Sequence, residues 1–147
     1  MDFRKFDRSY VVRFDKGEEL VSSLKVLCEK EGIHLASVQG IASADHVVLG
    51  VYDNAEKTLK TKSFDGTFEV ASILGNITTF GPHVYDHLHA VISNEAMETF
   101  GGHVVECTIS GSAELILTTI PGEVGRVDRD DSTGLKVIDF THRYIEI

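Results

Sequence analysis

The stretch VYDHLHAVISNEAMETFGGHVVEC, residues 84–107, decides how this chain folds and where its chemistry sits. Side chains alternate between the two faces of an extended strand. Val84, Leu88, Ala90 and Ile92 therefore share one face, the natural core face. His83, Tyr85, His87 and His89 share the other. Residues 94–98 then read as a five-residue hairpin loop. His89 and His103 are equidistant from Ala96, so a hairpin centred there sets them opposite each other, ~5 Å apart on one side of the sheet. His87 and His89 are ~6.6 Å apart along their own strand, at ~3.3 Å of rise per residue. Three imidazoles thus converge. The glycine pair Gly101-Gly102, just before His103, marks a bulge or a close approach of another group.

Working outward, residues 9–14 (SYVVRF) are β-branched and aromatic and read as a strand. Leu20, Leu24 and Leu27 then recur at helical spacing, with Val21 and Cys28 widening the stripe. Asp15 is a candidate N-cap with Glu18 three residues later, and Gly32 supplies the stop, so a helix is expected over about 17–31. HLASVQGIA, HVVLGVYD, TLKTKSF, FEVASILGNITTF, VYDHLHAVI, HVVECTI and AELILTTI follow as short strands between Gly, Asp, Asn and Ser signals, and LKVIDF adds another. One main amphipathic helix against a mostly antiparallel β-sheet is the α+β class. At 147 residues the expectation is a single domain spanning 1–147.

Composition excludes several function classes. The 14 basic and 23 acidic residues leave a net charge of −9, a field that repels phosphate backbones and anionic lipid. General DNA binding is disfavoured on that ground. Cys28 and Cys107 lack CxxC spacing and suit a reducing, cytoplasmic compartment. The first residues form no apolar signal region, and no run approaches the ~18 apolar residues of a membrane span. The chain holds no P-loop, GxGxxG or GxSxG.

An HxH pair alone on a strand is usually two solvated histidines. A third histidine at hairpin register, beside a glycine pair, makes His87, His89 and His103 candidate metal ligands. A regular strand puts Val105, Cys107 and Ile109 on the His103 side and Glu106 on the other. Cys107 is then either a soft fourth ligand or, by preference, a small buried hydrophobe. Three neutral imidazoles without a fourth protein ligand leave a position for water or substrate, the pattern of a catalytic zinc. Iron, nickel and manganese also accept imidazole.

Glu69, amid apolar residues, is the candidate general acid or base, with an exposed strand residue as the plainer alternative. Glu95 and Glu98 fall in the hairpin loop. His83 is a candidate pocket wall, whereas His34, His46 and His142 have no companions at ligand spacing. Lys57, Lys60 and Lys62 form the one basic run, with Lys60 and Lys62 on one face as edge-strand lysines often are. DRDDS, 128–132, reads as an acidic turn without EF-hand spacing.

These motifs resemble the plant and prokaryote conserved (PPC) domain in its stand-alone prokaryotic form. The likeness runs through YVVRFDKGEELVSSLKVLCEKEGI, ASVQGIASADHVVLGVYD and FEVASILGNI. Its most specific part is GPHVYDHLHAVIS followed by GGHVVE. The resemblance implies an α+β fold, a divalent metal (zinc) on His87, His89 and His103, and assembly as a homotrimer. Prokaryotic members are often labelled DNA-binding, because in plants the domain accompanies AT-hooks. This chain has no Arg-Gly-Arg-Pro hook and no basic tail. The fold also resembles, more distantly, acetolactate decarboxylase, which binds zinc through an HxH and a downstream histidine. Two functions are thus expected as alternatives. One is a metal protein that binds or transforms a small molecule, as a metal-dependent lyase or hydrolase if it is an enzyme. The other is a DNA-associated regulatory protein with a structural metal.

Overall fold

The computed structural model describes residues 1–128 and 135–141. Strands β1 (Asp2–Phe6) and β2 (Ser9–Asp15) form a hairpin and helix α1 (Leu20–Glu31) follows. Four long strands come next: β3 (Ala36–Asp53), β4 (Thr58–Phe80), β5 (His83–Ser93) and β6 (Thr99–Thr119). Short strands β7 (Gly125–Asp128) and β8 (Lys136–Asp139) complete the described chain. This is the expected α+β architecture, and among the described residues every strand pairing but one is antiparallel. The exception is a parallel contact of β4 with β7 at Thr79 and Gly125.

β3 pairs with both β4 and β6, and β5 pairs with the same two strands. The pairings therefore close a cycle through β3, β4, β5 and β6. Helix α1 packs on β5 and β6. It buries Leu20, Leu24, Leu27 and Cys28 in the same core as Val84, Leu88, Ala90 and Ile92 of β5. Each large aliphatic side chain so buried contributes roughly 1.5–3 kcal/mol. The helix thus seals the apolar face of β5 and leaves the histidine face to the opposite side. No helix among the described residues is long and apolar enough to cross a membrane.

The helix starts later than expected, at Leu20 and not near residue 17, and its N-cap is Glu19 and not Asp15. The cause is tertiary. Gly17 N–H donates to Ile109 O at 2.8 Å, and Ile109 N–H donates to Glu18 O at 3.0 Å. This segment is therefore held to β6 through a turn at Gly17, which has a left-handed φ of 86°, and cannot join the helix. Glu19 then accepts from Ser22 N–H (2.8 Å) and Val21 N–H (3.0 Å), and also from Cys107 N–H on β6 (2.9 Å). Asp15 stays in β2, where its backbone N–H donates to Glu18 Oε2 at 2.6 Å. The stop at Gly32 is as expected, in the left-handed conformation at φ 67°.

The short strands expected in pairs are continuous. HLASVQGIA and HVVLGVYD merge into β3, TLKTKSF and FEVASILGNITTF into β4, and HVVECTI and AELILTTI into β6. Their Gly, Ser and Asp residues look like breaks in the sequence. In the structure they fall at bulges, as between Gly40 and Ala42 and between Ala44 and His46. A bulge re-aims a strand without ending it. The charged edge strand β1 was not anticipated, because DFRKF carries little alternation. In the acidic turn, residues 129–132 lie outside the described residues, as does His142.

Candidate metal centre

The hairpin has the register its sequence implies. Ser93 faces Thr99, Ala90 faces Gly102 and His89 faces His103. In the 94–98 loop, Asn94 Oδ1 accepts from the N–H groups of Ala96 and Glu98, each at 3.0 Å. Met97 takes a left-handed φ of 59° to close the turn. On the other side of β5, Asn76 of β4 faces His87 and Leu74 faces His89.

Two glycines let the strands come this close. A Cβ on Gly75 would run into the carbonyl oxygen of His87. A Cβ on Gly102 would lie 2.7 Å from Gly50 O on β3. Of the pair before His103, Gly102 is therefore the sterically required member. Gly101 is less constrained, since its added Cβ would meet Ala90 O at 3.4 Å.

The three imidazoles form a triangle. Ring centroids are 5.2 Å apart for His87–His89, 5.4 Å for His87–His103 and 5.7 Å for His89–His103. One nitrogen from each ring lies within 4.8 Å of the others, and the set could hold a metal ion. Nitrogens sharing one tetrahedral zinc are about 3.4 Å apart, from Zn–N bonds of ~2.0–2.1 Å. Modest ring rotations close that gap. Among the described residues no carboxylate or thiol joins the cluster.

The electrostatics favour the ligand form of two of these rings. Burial pushes the His87 imidazole down to about 4, helped by the positive charge of Arg126 and then by His103 and His89. Burial, followed by His89, lowers His103. A neutral imidazole presents a nitrogen lone pair, so these shifts suit metal binding. The donor set is nitrogen only, which fits zinc and its borderline neighbours better than calcium or magnesium.

One expectation about β6 is corrected. Its register against β3 jumps from Leu49–Val104 to Val48–Glu106, so Val105 is an extra, bulged residue. The alternation slips by one beyond it. Cys107 therefore enters the core with Val104, and does not share the His103 side. Burial, then the charges of Glu19 and Asp45, pushes its thiol up to about 12, the value of an inert thiol. Glu106 reaches the half-buried ring of His46, with Oε2 3.1 Å from Nε2.

Glu69 is exposed and faces Ser93 on β5, four residues beyond His89. That is ~13 Å along the strand, so the register does not bring it to the imidazoles. His83 is exposed and faces Phe80 at the far end of β5. Glu98 accepts from Asn94 Nδ2 at 3.2 Å, within the loop, and Glu95 and His34 are exposed. Lys60 pairs with Asp53 at 2.9 Å, and Lys62 lies over the rings of Phe64 and Phe100.

No sequence motif points to Arg126. It stands alone in GEVGRVD on β7, yet it reaches β4 and β5 beside His87. Its Nη2 donates to Asn76 Oδ1 at 2.9 Å, and its guanidinium lies over Tyr85 at 4.9 Å.

Fold and site together define an α+β protein with a three-imidazole cluster on an antiparallel hairpin. The chain belongs to the Plants and Prokaryotes Conserved (PCC) domain family, whose model matches residues 1–121. It is similar to a solved protein of Bacteroides thetaiotaomicron, described only provisionally as DNA-binding, at 24% identity and a TM-score of 0.92. That match covers 96% of this chain and 98% of the other. A Pyrococcus horikoshii protein described as plant- and prokaryote-conserved is 27% identical, with a TM-score of 0.84 and 97% of each chain covered. A metal-containing protein of Archaeoglobus fulgidus is 26% identical, also with a TM-score of 0.84, over 94% of this chain and 98% of that one. Among curated proteins, none matches the chain.

Proposed function

We propose that this protein binds a divalent transition metal, zinc by preference, through His87, His89 and His103, and presents an open coordination position to a small molecule. The observation that carries the reading is the convergence of three imidazole nitrogens within 4.8 Å, with no carboxylate or thiol to complete the set. The metal-containing relative from Archaeoglobus fulgidus supports it. When bound, such a metal supplies Lewis acidity to a carbonyl or lowers the pKa of a bound water toward ~7. A metal-dependent lyase or hydrolase is the enzyme class consistent with that chemistry. The chain's own part is to aim the imidazoles, to keep His87 and His103 neutral by burial, and to hold β4 tight against them through Gly75.

The protein self-associates in this reading, as a homotrimer by family likeness. In support, Val11, Ile41, Leu74 and Ile116 are exposed apolar residues lining one open groove of about 810 Å³. The free, buried Cys28 and Cys107 accord with a cytoplasmic location. A DNA-associated role rests on the provisional descriptions of two similar solved proteins, and the net charge of −9 opposes it.

The cobalt(II)-substituted protein tests the open position. Its visible bands are expected to be those of a four-coordinate site, and to shift when a small exchangeable anion such as azide is added. Bands of a closed six-coordinate site, unmoved by azide, would contradict the reading. Duplex DNA binding at physiological salt that weakens steeply as salt rises would favour the DNA-associated alternative.

A further inference from the structure

Arg126 is 8% exposed, and among the described residues it has no carboxylate partner. Its Nε–H donates to Thr78 Oγ1 at 2.8 Å, Nη1 to the carbonyl of Lys136 at 3.0 Å and Nη2 to Asn76 Oδ1 at 2.9 Å. Its face lies over the Tyr85 ring. Each of these partners is neutral. A buried cation without a counter-ion is costly, and a neutral side chain would suffice to pin β7 to β4. The charge itself therefore calls for a reason.

Its placement supplies one. Asn76 faces His87, and Thr78 faces Tyr85, in the β4–β5 register. Tyr85 and His87 share a face of β5, with ring centroids 6.4 Å apart. The two residues that fix the guanidinium are thus the cross-strand neighbours of a metal ligand and of the ring beside it. A guanidinium carries five N–H groups in a planar fork. Three are used by the protein, which leaves one on each Nη nitrogen. Two forked donors match the two oxygens of a carboxylate. In a chain of net charge −9, an anionic ligand needs such a local cation to be held at all.

We propose that Arg126, held by Asn76 and Thr78, is the anion-recognition element of the histidine centre, and that its ligand is a small organic carboxylate. The carboxylate pairs with the guanidinium while a second donor atom of the same molecule takes the metal's open position. This rests on the metal reading above, and it names the substrate class of that site. Arg126 lies beyond the residues 1–121 that carry the family assignment.

The test uses 3-mercaptopropionate and its methyl ester. Both offer the same thiolate to the metal, and only the acid offers a carboxylate. Each is titrated into cobalt(II)-loaded protein at fixed ionic strength, and binding is read from the thiolate-to-cobalt absorption. The acid is expected to bind about tenfold more tightly than the ester, the worth of a charge-assisted pair. In Arg126→Gln that preference disappears, while cobalt stoichiometry stays as in the unsubstituted protein. Equal affinities for acid and ester in the unsubstituted protein would overturn the inference, and so would an undiminished preference in Arg126→Gln. If Arg126→Gln does not fold, as read by circular dichroism, the acid-to-ester ratio of the unsubstituted protein decides alone. Failure to bind cobalt at all would sink the metal reading itself, which separates the two failures.

Discussion

Two histidine environments sit on the same sheet with opposite electrostatics. His87, His89 and His103 gather with no acid among them, and burial drives His87 down to about 4. His46 stands between two carboxylates, with Asp65 Oδ1 2.6 Å from Nδ1 and Glu106 Oε2 3.1 Å from Nε2. These hydrogen bonds, Asp65 first, raise its pKa. Burial favours the neutral rings of His87 and His103, which offer lone pairs. His46 keeps its proton and ties β3, β4 and β6 together. The lesson is that neighbours assign an imidazole its role. A histidine with carboxylates on both nitrogens is a strut, and histidines gathered without a carboxylate are candidate ligands.

The contrast is most strongly broken through the backbone. Gly75→Val places a side chain against the carbonyl of His87, where β4 and β5 meet. Overpacking of this kind costs roughly 1–3 kcal/mol or more. The expected outcome is a clear drop in melting temperature together with weakened metal binding. A variant that melts like the parent protein and binds metal equally well would show that the tight β4–β5 approach does not support the site.

Acid titration sharpens the contrast next. The folded pKa of His87 is depressed to about 4, against an unfolded value near ~6.5. Between those values the unfolded chain holds more protons, so the metal-free fold loses stability as pH falls from ~6.5 toward 4. After discounting for partial exposure, the loss is about 1–2 kcal/mol. Denaturant melts of metal-free protein across this range should show that slope, and His87→Leu should flatten it. An unchanged slope in the variant would place the acid sensitivity elsewhere.

The His46 strut gives the smallest effect and the opposite sign. Its folded pKa is raised. Its contribution is therefore fully present below ~6.5 and fades as pH rises through the folded value. His46→Gln should lower stability more in mildly acidic than in alkaline solution while leaving metal stoichiometry intact. Loss of metal in that variant would erase the distinction between the two environments.

Much of the site was legible because a hairpin writes its register in the sequence. Equal spacing of His89 and His103 about Ala96 is enough to oppose them, and strand parity puts His87 alongside. The helix stripe of Leu20, Leu24 and Leu27 was legible for the same reason, since local periodicity reports local structure. What escaped depends on contacts between distant segments. The late start of α1 follows from Gly17 and Glu18 bonding to Ile109, and from Glu19 capping while also accepting from Cys107. The bulge at Val105, which carries Cys107 into the core, appears only once β6 is laid against β3. Arg126 reaches Asn76 and Thr78 through a single parallel bridge between β4 and β7. Nothing in GEVGRVD announces that contact.

On the reading proposed above, His87, His89 and His103 together hold a metal in a fold that does not require it. Elemental analysis of purified protein, beside a His87→Ala/His89→Ala variant checked by circular dichroism, tests it most directly. About one zinc per chain is expected in the unsubstituted protein, and loss of that metal in the variant with the fold intact. Metal retained at full stoichiometry in the variant would contradict the ligand assignment.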